Sequence, residues 1–173
     1  MQDMTISAES SPTQPSLRFM LRDPAHVIAF AGGTGLVPFA PGTFGTLLAL
    51  PLQWWLAPRF AEAVWLGALA VAFIVGVWAC GRTGRALGVP DHGAIVWDET
   101  VAFLLVLVFT PDDKSWQALA FLLFRAFDIA KPPPIRYFDV RWKNGFGVMF
   151  DDLLAAFFTL LVLAVIKAWI TGL

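Results

Sequence analysis

Five carboxylates beside apolar runs are the residues in this sequence best suited to chemistry. Asp98 and Glu99 lie in IVWDETVAFLLVLVF, Asp128 closes FLLFRAFDIAKP, and Asp151 and Asp152 open MFDDLLAAFFTLLVLAVI. A carboxylate in or next to hydrocarbon is costly, so such residues usually mark a functional site. Carboxylates brought together repel one another unless a cation binds between them, and oxygen ligands favour a hard cation such as Mg²⁺. The pattern therefore predicts a cation site of a kind that also serves phosphate chemistry.

Helix capping is the alternative explanation for these acids. Asp98 and Asp151 both stand near a predicted helix start, where an Asp can accept hydrogen bonds from backbone N–H groups and meet the positive end of the helix dipole. Capping needs one acid per helix, whereas each of these helices has two, and the surplus favours metal ligation. We interpret Asp112 and Asp113, in a turn on the opposite face, as solvated residues.

Basic residues accompany the acids. Arg125, Asp128 and Lys131 are three residues apart in turn, which places them along one helix face if the helix persists to Lys131. They form either a salt-bridge ladder or a phosphate-binding pair of cations beside a metal-binding acid. His92 could act as a general acid or base next to the cluster, although a lone His is more often a hydrogen-bonded structural residue.

The stretch FAGGTGLVPFAPGTFGT, residues 30–46, is the second unusual feature. Glycines permit close backbone approach, and Thr43 and Thr46 lie at a predicted helix N-terminus, where anions bind well. The stretch is not a P-loop, because no Gly-Lys-Ser/Thr follows it. A plain interfacial loop is the alternative.

The composition indicates a membrane protein. The chain has 173 residues, of which 58% are hydrophobic and 14% charged, whereas about a quarter of the residues in a soluble domain are charged. A net charge of −1 gives no basic field for nucleic acid. The polar stretch 1–21 is expected to be a flexible N-terminal tail, and residues 22–173 a single membrane-embedded domain.

The apolar segments predict an all-α, polytopic membrane protein with about four to five membrane-embedded helices. They fall at about 44–57, 63–80, 98–110, 115–130 and 151–171. If each segment crosses once, the loops on one face carry eight Lys and Arg residues and those on the other carry two. Basic loops stay cytoplasmic, so all five carboxylates would form a cluster at the cytoplasmic lip.

Taken together, the motifs resemble the bacterial phosphatidylglycerophosphatase A family. The matching strings cover about residues 22–156 in the family's order, and are DPAHVIAFAGGTGLVPFAPGTFGTLLALP, DHGAIVWDE, FRAFDIAKPPPIRYFD and GFGVMFDDLLAA. Family members often have Gly where this chain has Ala102 and Ala156, changes that do not touch the carboxylates.

The resemblance implies a multi-pass enzyme of the bacterial inner membrane, with its active site facing the cytoplasm. It implies Mg²⁺-dependent hydrolysis of phosphatidylglycerol phosphate, a membrane lipid, to phosphatidylglycerol and phosphate in phospholipid biosynthesis. The metal ligands it implies are Asp98, Glu99, Asp128, Asp151 and Asp152. The catalytic residues are expected among Asp98, Glu99, Asp128, Arg125, Lys131 and His92, and the substrate-binding residues among Thr43, Thr46, Arg125, Lys131 and Arg136.

A small membrane cation transporter with a carboxylate-lined site is the alternative function. A transporter would favour acids at mid-membrane on several helices, whereas these acids lie at one predicted lip. The sequence leaves open which residue is the general base and whether an aspartyl-phosphate forms.

Overall fold

A computed structural model describes residues 15–172, and these residues form an all-helical bundle without a β-strand. The prediction of an all-α fold is confirmed. The helices are α1 Leu17–Met20, α2 Pro24–Ala29, α3 Pro41–Leu56, α4 Glu62–Leu87, α5 Trp97–Phe109, α6 Lys114–Ala130, α7 Ile135–Arg141 and α8 Gly145–Thr171. Most of the predicted tail lies outside the described residues, but its end forms α1, in which Phe19 and Met20 are buried.

Helices α5 and α8 lie at the centre of the bundle. Helix α5 packs against α3, α4, α6 and α8, and α8 packs in addition against α4, α6 and α7. Beyond the first turn of α5, Phe103 is fully buried and its ring lies 5.4 Å from that of Phe124 on α6. The Thr100 hydroxyl donates to the carbonyl of Gly45 at 2.9 Å and so fixes α5 against α3. Helices α5 and α8, which carry the two acid pairs, pack side by side.

Helix α8 begins at Gly145, six residues before the predicted start. The side chain of Asn144 caps it by accepting a hydrogen bond from Gly147 N–H at 3.0 Å. Gly145 allows α8 to approach α4 closely, since a Cβ there would lie 2.8 Å from Cα of Gly81. The predicted start lies at the acid pair, whereas the preceding residues 145–150, GFGVMF, are largely apolar and already belong to the helix.

Helix α6 ends at Ala130, and Lys131 adopts a left-handed conformation with φ of 40°. The condition for the predicted ladder, a helix that persists to Lys131, is not met. Lys131 therefore leaves the helix face that carries Arg125 and Asp128.

Among the described residues, α4 and α8 are long and apolar enough to cross a membrane. The structure thus provides two helices of spanning length rather than the four to five membrane-embedded helices predicted. Helix α5, with 13 residues, covers about 20 Å at 1.5 Å per residue, against about 30 Å of bilayer hydrocarbon. Length and composition alone support membrane association through two helices.

Candidate metal centre

Asp98, Glu99 and Asp152 form a compact group of acids, the inner cluster. They offer oxygen atoms that all lie within 4.8 Å of one another. Asp98 and Asp152 are buried, with 6% and 3% of their surface exposed. One oxygen of each acid, Oδ1 of Asp98, Oε2 of Glu99 and Oδ2 of Asp152, is buried without a hydrogen-bond partner in the part of the chain described. Buried, unpaired carboxylates are costly, and a set of oxygen donors fits a hard cation such as Mg²⁺.

Neither acid pair caps its helix. Val96 precedes α5 without a side-chain cap, and Asn144 caps α8 well before Asp151. The capping alternative for Asp98 and Asp151 is therefore wrong. Asp98 and Glu99 lie in the first turn of α5, where the positive end of the helix dipole favours negative charge.

Arg125 lies beside the inner cluster in a fixed orientation. Its Nη1 donates to Oγ1 of Thr46 at 3.3 Å and forms ion pairs with Oδ2 of Asp128 at 2.6 Å and Oε1 of Glu99 at 3.7 Å. Thr46 is fully buried, and its hydroxyl donates to the carbonyl of Gly42 at 2.9 Å. The Nε atom of Arg125 is buried without a partner among residues 15–172. The guanidinium is thus anchored through Nη1, and Nε remains a donor without a partner in the described chain.

The N-terminus of α3 closes on the same cluster at Gly42. A Cβ on Gly42 would overlap Oε1 of Glu99 and would lie 3.2 Å from its Cδ and 3.3 Å from Nη1 of Arg125. Ala40, which precedes the helix, provides no side-chain cap for the first N–H groups. The glycine therefore brings an uncapped helix N-terminus, which favours anions, next to the carboxylates.

Asp151 belongs to a separate group of acids, the outer cluster, with Asp91 and Asp139. The ammonium of Lys131 lies among them. It forms an ion pair with Asp151, and its Nζ lies 3.0 Å from Oδ1 of Asp139 and 3.9 Å from Oδ2 of Asp91. The five predicted acids thus do not form one cluster, because Asp151 is directed toward Lys131 while Asp152 is directed toward Asp98 and Glu99.

Lys131 and its acid partners stabilise each other's charged forms in the outer cluster. Burial acts to lower the pKa of Lys131, but the charge of Asp151 and the hydrogen bonds to Asp151 and Asp139 raise the pKa above its ordinary value. Burial acts to raise the pKa of Asp139, but the hydrogen bond and charge of Lys131, with Lys143, lower it. This geometry supports the salt-bridge interpretation of Lys131.

The other predicted site residues lie outside both clusters. His92 is half-buried, and its Nδ1 accepts a hydrogen bond from Ala94 N–H at 3.1 Å, which is a local structural contact. Thr43 is half-buried in the first turn of α3, and Arg136 is exposed on α7.

Three residues that the sequence analysis missed contact the site, namely Gly42, Asp91 and Asp139. All three lie within the matching strings, Gly42 in APGTFG, Asp91 in DHGAIVWDE and Asp139 in FRAFDIAKPPPIRYFD. Their position in these motifs was the available signal.

A helical bundle with a buried carboxylate cluster beside an arginine defines a class of helical proteins able to bind a metal and a phosphate. Comparison with known proteins makes the assignment specific. The model of the family described as phosphatidylglycerophosphatase A matches residues 27–167. The chain belongs to this family, and the predictions of the family and of a phosphatase are confirmed.

Curated relatives support the same assignment. The chain is 43% identical to phosphatidylglycerophosphatase A of Haemophilus influenzae over 157 residues, 90% of this chain and 96% of the relative. It is 38% identical to the Escherichia coli protein of the same name over 80% of each chain. A Bacteroides thetaiotaomicron protein, 38% identical over 81% of this chain and 91% of its own length, has the provisional name phosphatidylinositol-3-phosphatase. No solved structure matches the chain, and no finding supports the transporter alternative.

Proposed function

We propose that this protein hydrolyses phosphatidylglycerol phosphate to phosphatidylglycerol and phosphate in a Mg²⁺-dependent reaction of bacterial phospholipid biosynthesis. The observation that carries the proposal is the inner cluster, in which three acids each have a buried oxygen without a partner in the described chain. Membership of the phosphatidylglycerophosphatase A family supports the substrate.

Asp98, Glu99 and Asp152 would bind the Mg²⁺ ion. A bound Mg²⁺ polarises a phosphoryl oxygen and lowers the pKa of a bound water. Asp128 lies in contact with Arg125 at 2.6 Å, and its role is to orient that arginine as well as to add negative charge at the cluster. Asp151 would position Asp152 indirectly, since its ion pair with Lys131 fixes the turn of α8 that precedes Asp152.

Arg125 and the N-terminus of α3 would bind the phosphate. Arginine is suited to phosphate because its guanidinium offers several donors in a fixed plane, and Nε of Arg125 has no partner in the part of the chain described. The N-terminus of α3 adds the N–H of Gly42 and the positive end of the helix dipole, whereas the N–H of Thr43 already donates to the carbonyl of Ala40 at 2.9 Å. Thr46 contributes indirectly by fixing Nη1 of Arg125.

The site would face the cytoplasm from within the inner membrane, with α4 and α8 crossing the bilayer and the shorter helices packed beside them. The charge asymmetry of the loops supports this orientation. Single cysteines at Arg136 and Asp112 test it with an impermeant thiol reagent in intact cells, since the native Cys80 is buried. Labelling at 112 with protection at 136 is expected, and the reverse pattern would overturn the orientation.

Phosphate release from phosphatidylglycerol phosphate by the purified protein tests the function directly. We expect release that depends on added Mg²⁺ and stops with a chelator. Asp98→Asn and Asp152→Asn should raise the Mg²⁺ concentration for half-maximal activity at least about tenfold, because each removes the negative charge of one carboxylate that would bind the ion. Binding of Mn²⁺, followed by electron paramagnetic resonance, should weaken in parallel.

Asp112→Asn is the matched control, because Asp112 is an acid at the opposite end of the bundle that accepts a hydrogen bond from Gln117. It should leave Mg²⁺ activation unchanged. Unchanged activation in both inner-cluster variants would place the metal elsewhere. Phosphatidylinositol 3-phosphate should be tested beside phosphatidylglycerol phosphate, and preferential hydrolysis of the inositol lipid would refute the proposed head group while leaving the phosphatase chemistry intact.

A further inference from the structure

An apolar groove lies between α4, α5 and α8, and we name it the α4–α5–α8 groove. Its cavity volume is about 360 Å³, and all ten of its lining side chains are apolar, among them Leu66, Phe73 and Leu105. Two of its three walls are the helices long and apolar enough to cross a membrane. The groove therefore lies where hydrocarbon rather than water is expected around the protein.

The groove begins next to the inner cluster. Val101 lines it three residues after Asp98 on α5, and Met149 lines it three residues before Asp152 on α8. Residues three apart share a helix face and are separated by about 4.5 Å along the axis. The inner end of the groove thus lies about one helical turn from the acids.

The groove is elongated and open on its α4 side. Its lining on α4 runs from Leu66 to Ile74, which corresponds to about 12 Å along the helix. Ile74 is 68% exposed and Ala70 is also exposed, so an alkyl chain can enter sideways from the surroundings of the bundle.

We propose that the α4–α5–α8 groove binds one acyl chain of the lipid substrate while the phosphate lies at the inner cluster. This inference rests on the proposed function, which supplies a substrate that joins a phosphate to acyl chains. The groove is continuous with the candidate site, and its apolar lining matches a hydrocarbon chain. A cavity of about 660 Å³ at the other end of α5 does not fit this role, because it is lined in part by polar residues such as Asp112 and Lys114.

The contribution of the groove is to orient the substrate rather than to extract it from water. Lipid tails are as apolar as leucine, so a chain that moves from bilayer to groove gains close packing and little hydrophobic free energy. A chain fixed beside Val101 and Met149 would bring the head group to a defined position at the acids. Misplacement of a substrate by about 1 Å can lower a rate about 100-fold.

Filling the groove tests the proposal. Ala70→Trp places a large ring in its open side, and Ala68→Trp, at an exposed position on α4 that does not line the groove, is the matched control. We expect Ala70→Trp to lower kcat/KM for long-chain phosphatidylglycerol phosphate at least about tenfold. Hydrolysis of the water-soluble, deacylated head-group phosphate should stay within about twofold, and Ala68→Trp should change neither. Equal loss on both substrates, or loss on neither, would overturn the proposal.

Photo-crosslinking of the wild-type protein provides a readout that needs no turnover and no variant. The probe is phosphatidylglycerol phosphate with a diazirine on one acyl chain, in phosphatidylcholine vesicles. Labelling of residues 66–74 should be suppressed by unlabelled phosphatidylglycerol phosphate, whereas labelling of exposed Trp169 on α8 should be insensitive to it. Equal insensitivity at both places would overturn the groove as a substrate site. Absence of phosphate release despite specific labelling would instead refute the proposed function alone.

Discussion

Gly42→Ala is expected to abolish most activity while leaving the fold intact. The added Cβ would overlap Oε1 of Glu99 and would lie 3.2 Å from its Cδ and 3.3 Å from Nη1 of Arg125. Since carbon and oxygen atoms need about 3.5 Å of separation, the Glu99 carboxylate must move by more than about 1 Å. The atoms that must move are the ends of two side chains, so α3 itself need not shift.

The size of the effect follows from that displacement. A 1 Å misplacement of a group at a reacting centre costs about 100-fold in rate, or about 2.7 kcal/mol of transition-state stabilisation. A glycine in a helix is also less stable than alanine by up to about 1 kcal/mol, which offsets part of any strain. The melting temperature of Gly42→Ala should therefore change little while kcat falls about 100-fold.

Two glycine variants make this test specific, and phosphate release with a thermal melt is the assay. Gly67→Ala, on α4 with nothing within 4 Å of the added Cβ, should keep full activity. Gly45→Ala would place a Cβ 2.7 Å from Cβ and 2.8 Å from the carbonyl oxygen of Val96, so it should lower the melting temperature. Full activity of Gly42→Ala at both limiting and saturating Mg²⁺ would refute the placement of Glu99 in the metal centre.

Substitutions at three further residues, Lys131, Asp113 and His26, test structural roles. Lys131→Met should lower the free energy of unfolding by about 2–3 kcal/mol, because buried Asp151 loses its partner. The control is Lys143→Met, which should cost less than about 1 kcal/mol because Lys143 is half exposed beside Asp139. Equal melting temperatures of the two variants would contradict the salt-bridge interpretation. Asp113→Ala should destabilise the protein by about 1 kcal/mol with unchanged kinetics, because Asp113 accepts hydrogen bonds from two N–H groups at the start of α6. Asp113→Asn keeps an acceptor and should leave the melting temperature unchanged. Burial lowers the pKa of His26 in the folded protein. As the pH drops below about 6.5, the unfolded chain therefore binds a proton at His26 before the folded protein does, and the free energy of unfolding falls. His26→Asn should show a flatter dependence of melting temperature on pH between about 7 and 5, and an unchanged dependence would assign the effect to another group.

The helices and the residue types of the site could be predicted from sequence because both depend on local patterns. Long apolar runs mark helices, and acids at the ends of such runs are conspicuous. The early start of α8 is missed although residues 145–150, GFGVMF, are largely apolar, because glycines are typical of turns and their close contacts with neighbouring segments are not visible in sequence. Asp112 and Asp113 are exposed, as a solvated turn requires, and in addition Asp113 caps α6 and Asp112 accepts a hydrogen bond from Gln117.

The division of the acids into two clusters could not be predicted, because it depends on helix rotation. Asp151 and Asp152 are adjacent in sequence, yet successive residues on an α-helix are directed about 100° apart. One therefore contacts Lys131 and the other lies with Asp98. Lys131 pairs with Asp151 from a left-handed conformation at the end of α6, and hydrophobic periodicity contains no information on such a conformation.

The separation of the clusters has a consequence for how many cations the protein binds. Each cluster takes one acid from α8, and these two acids, Asp151 and Asp152, are neighbours in sequence. The mutual repulsion of the clusters would be large if both were uncompensated. The ammonium of Lys131 is a cation within the outer cluster, where it leaves one buried oxygen of Asp151 without a partner among the described residues, whereas each acid of the inner cluster has such an oxygen. We therefore expect one Mn²⁺ per chain in a binding titration of the wild-type protein. Lys131→Met removes the internal cation, and the outer cluster of Asp91, Asp139 and Asp151 then has the ligand set to bind a second ion. Two equivalent ions in the wild-type protein would show that Lys131 does not play this part.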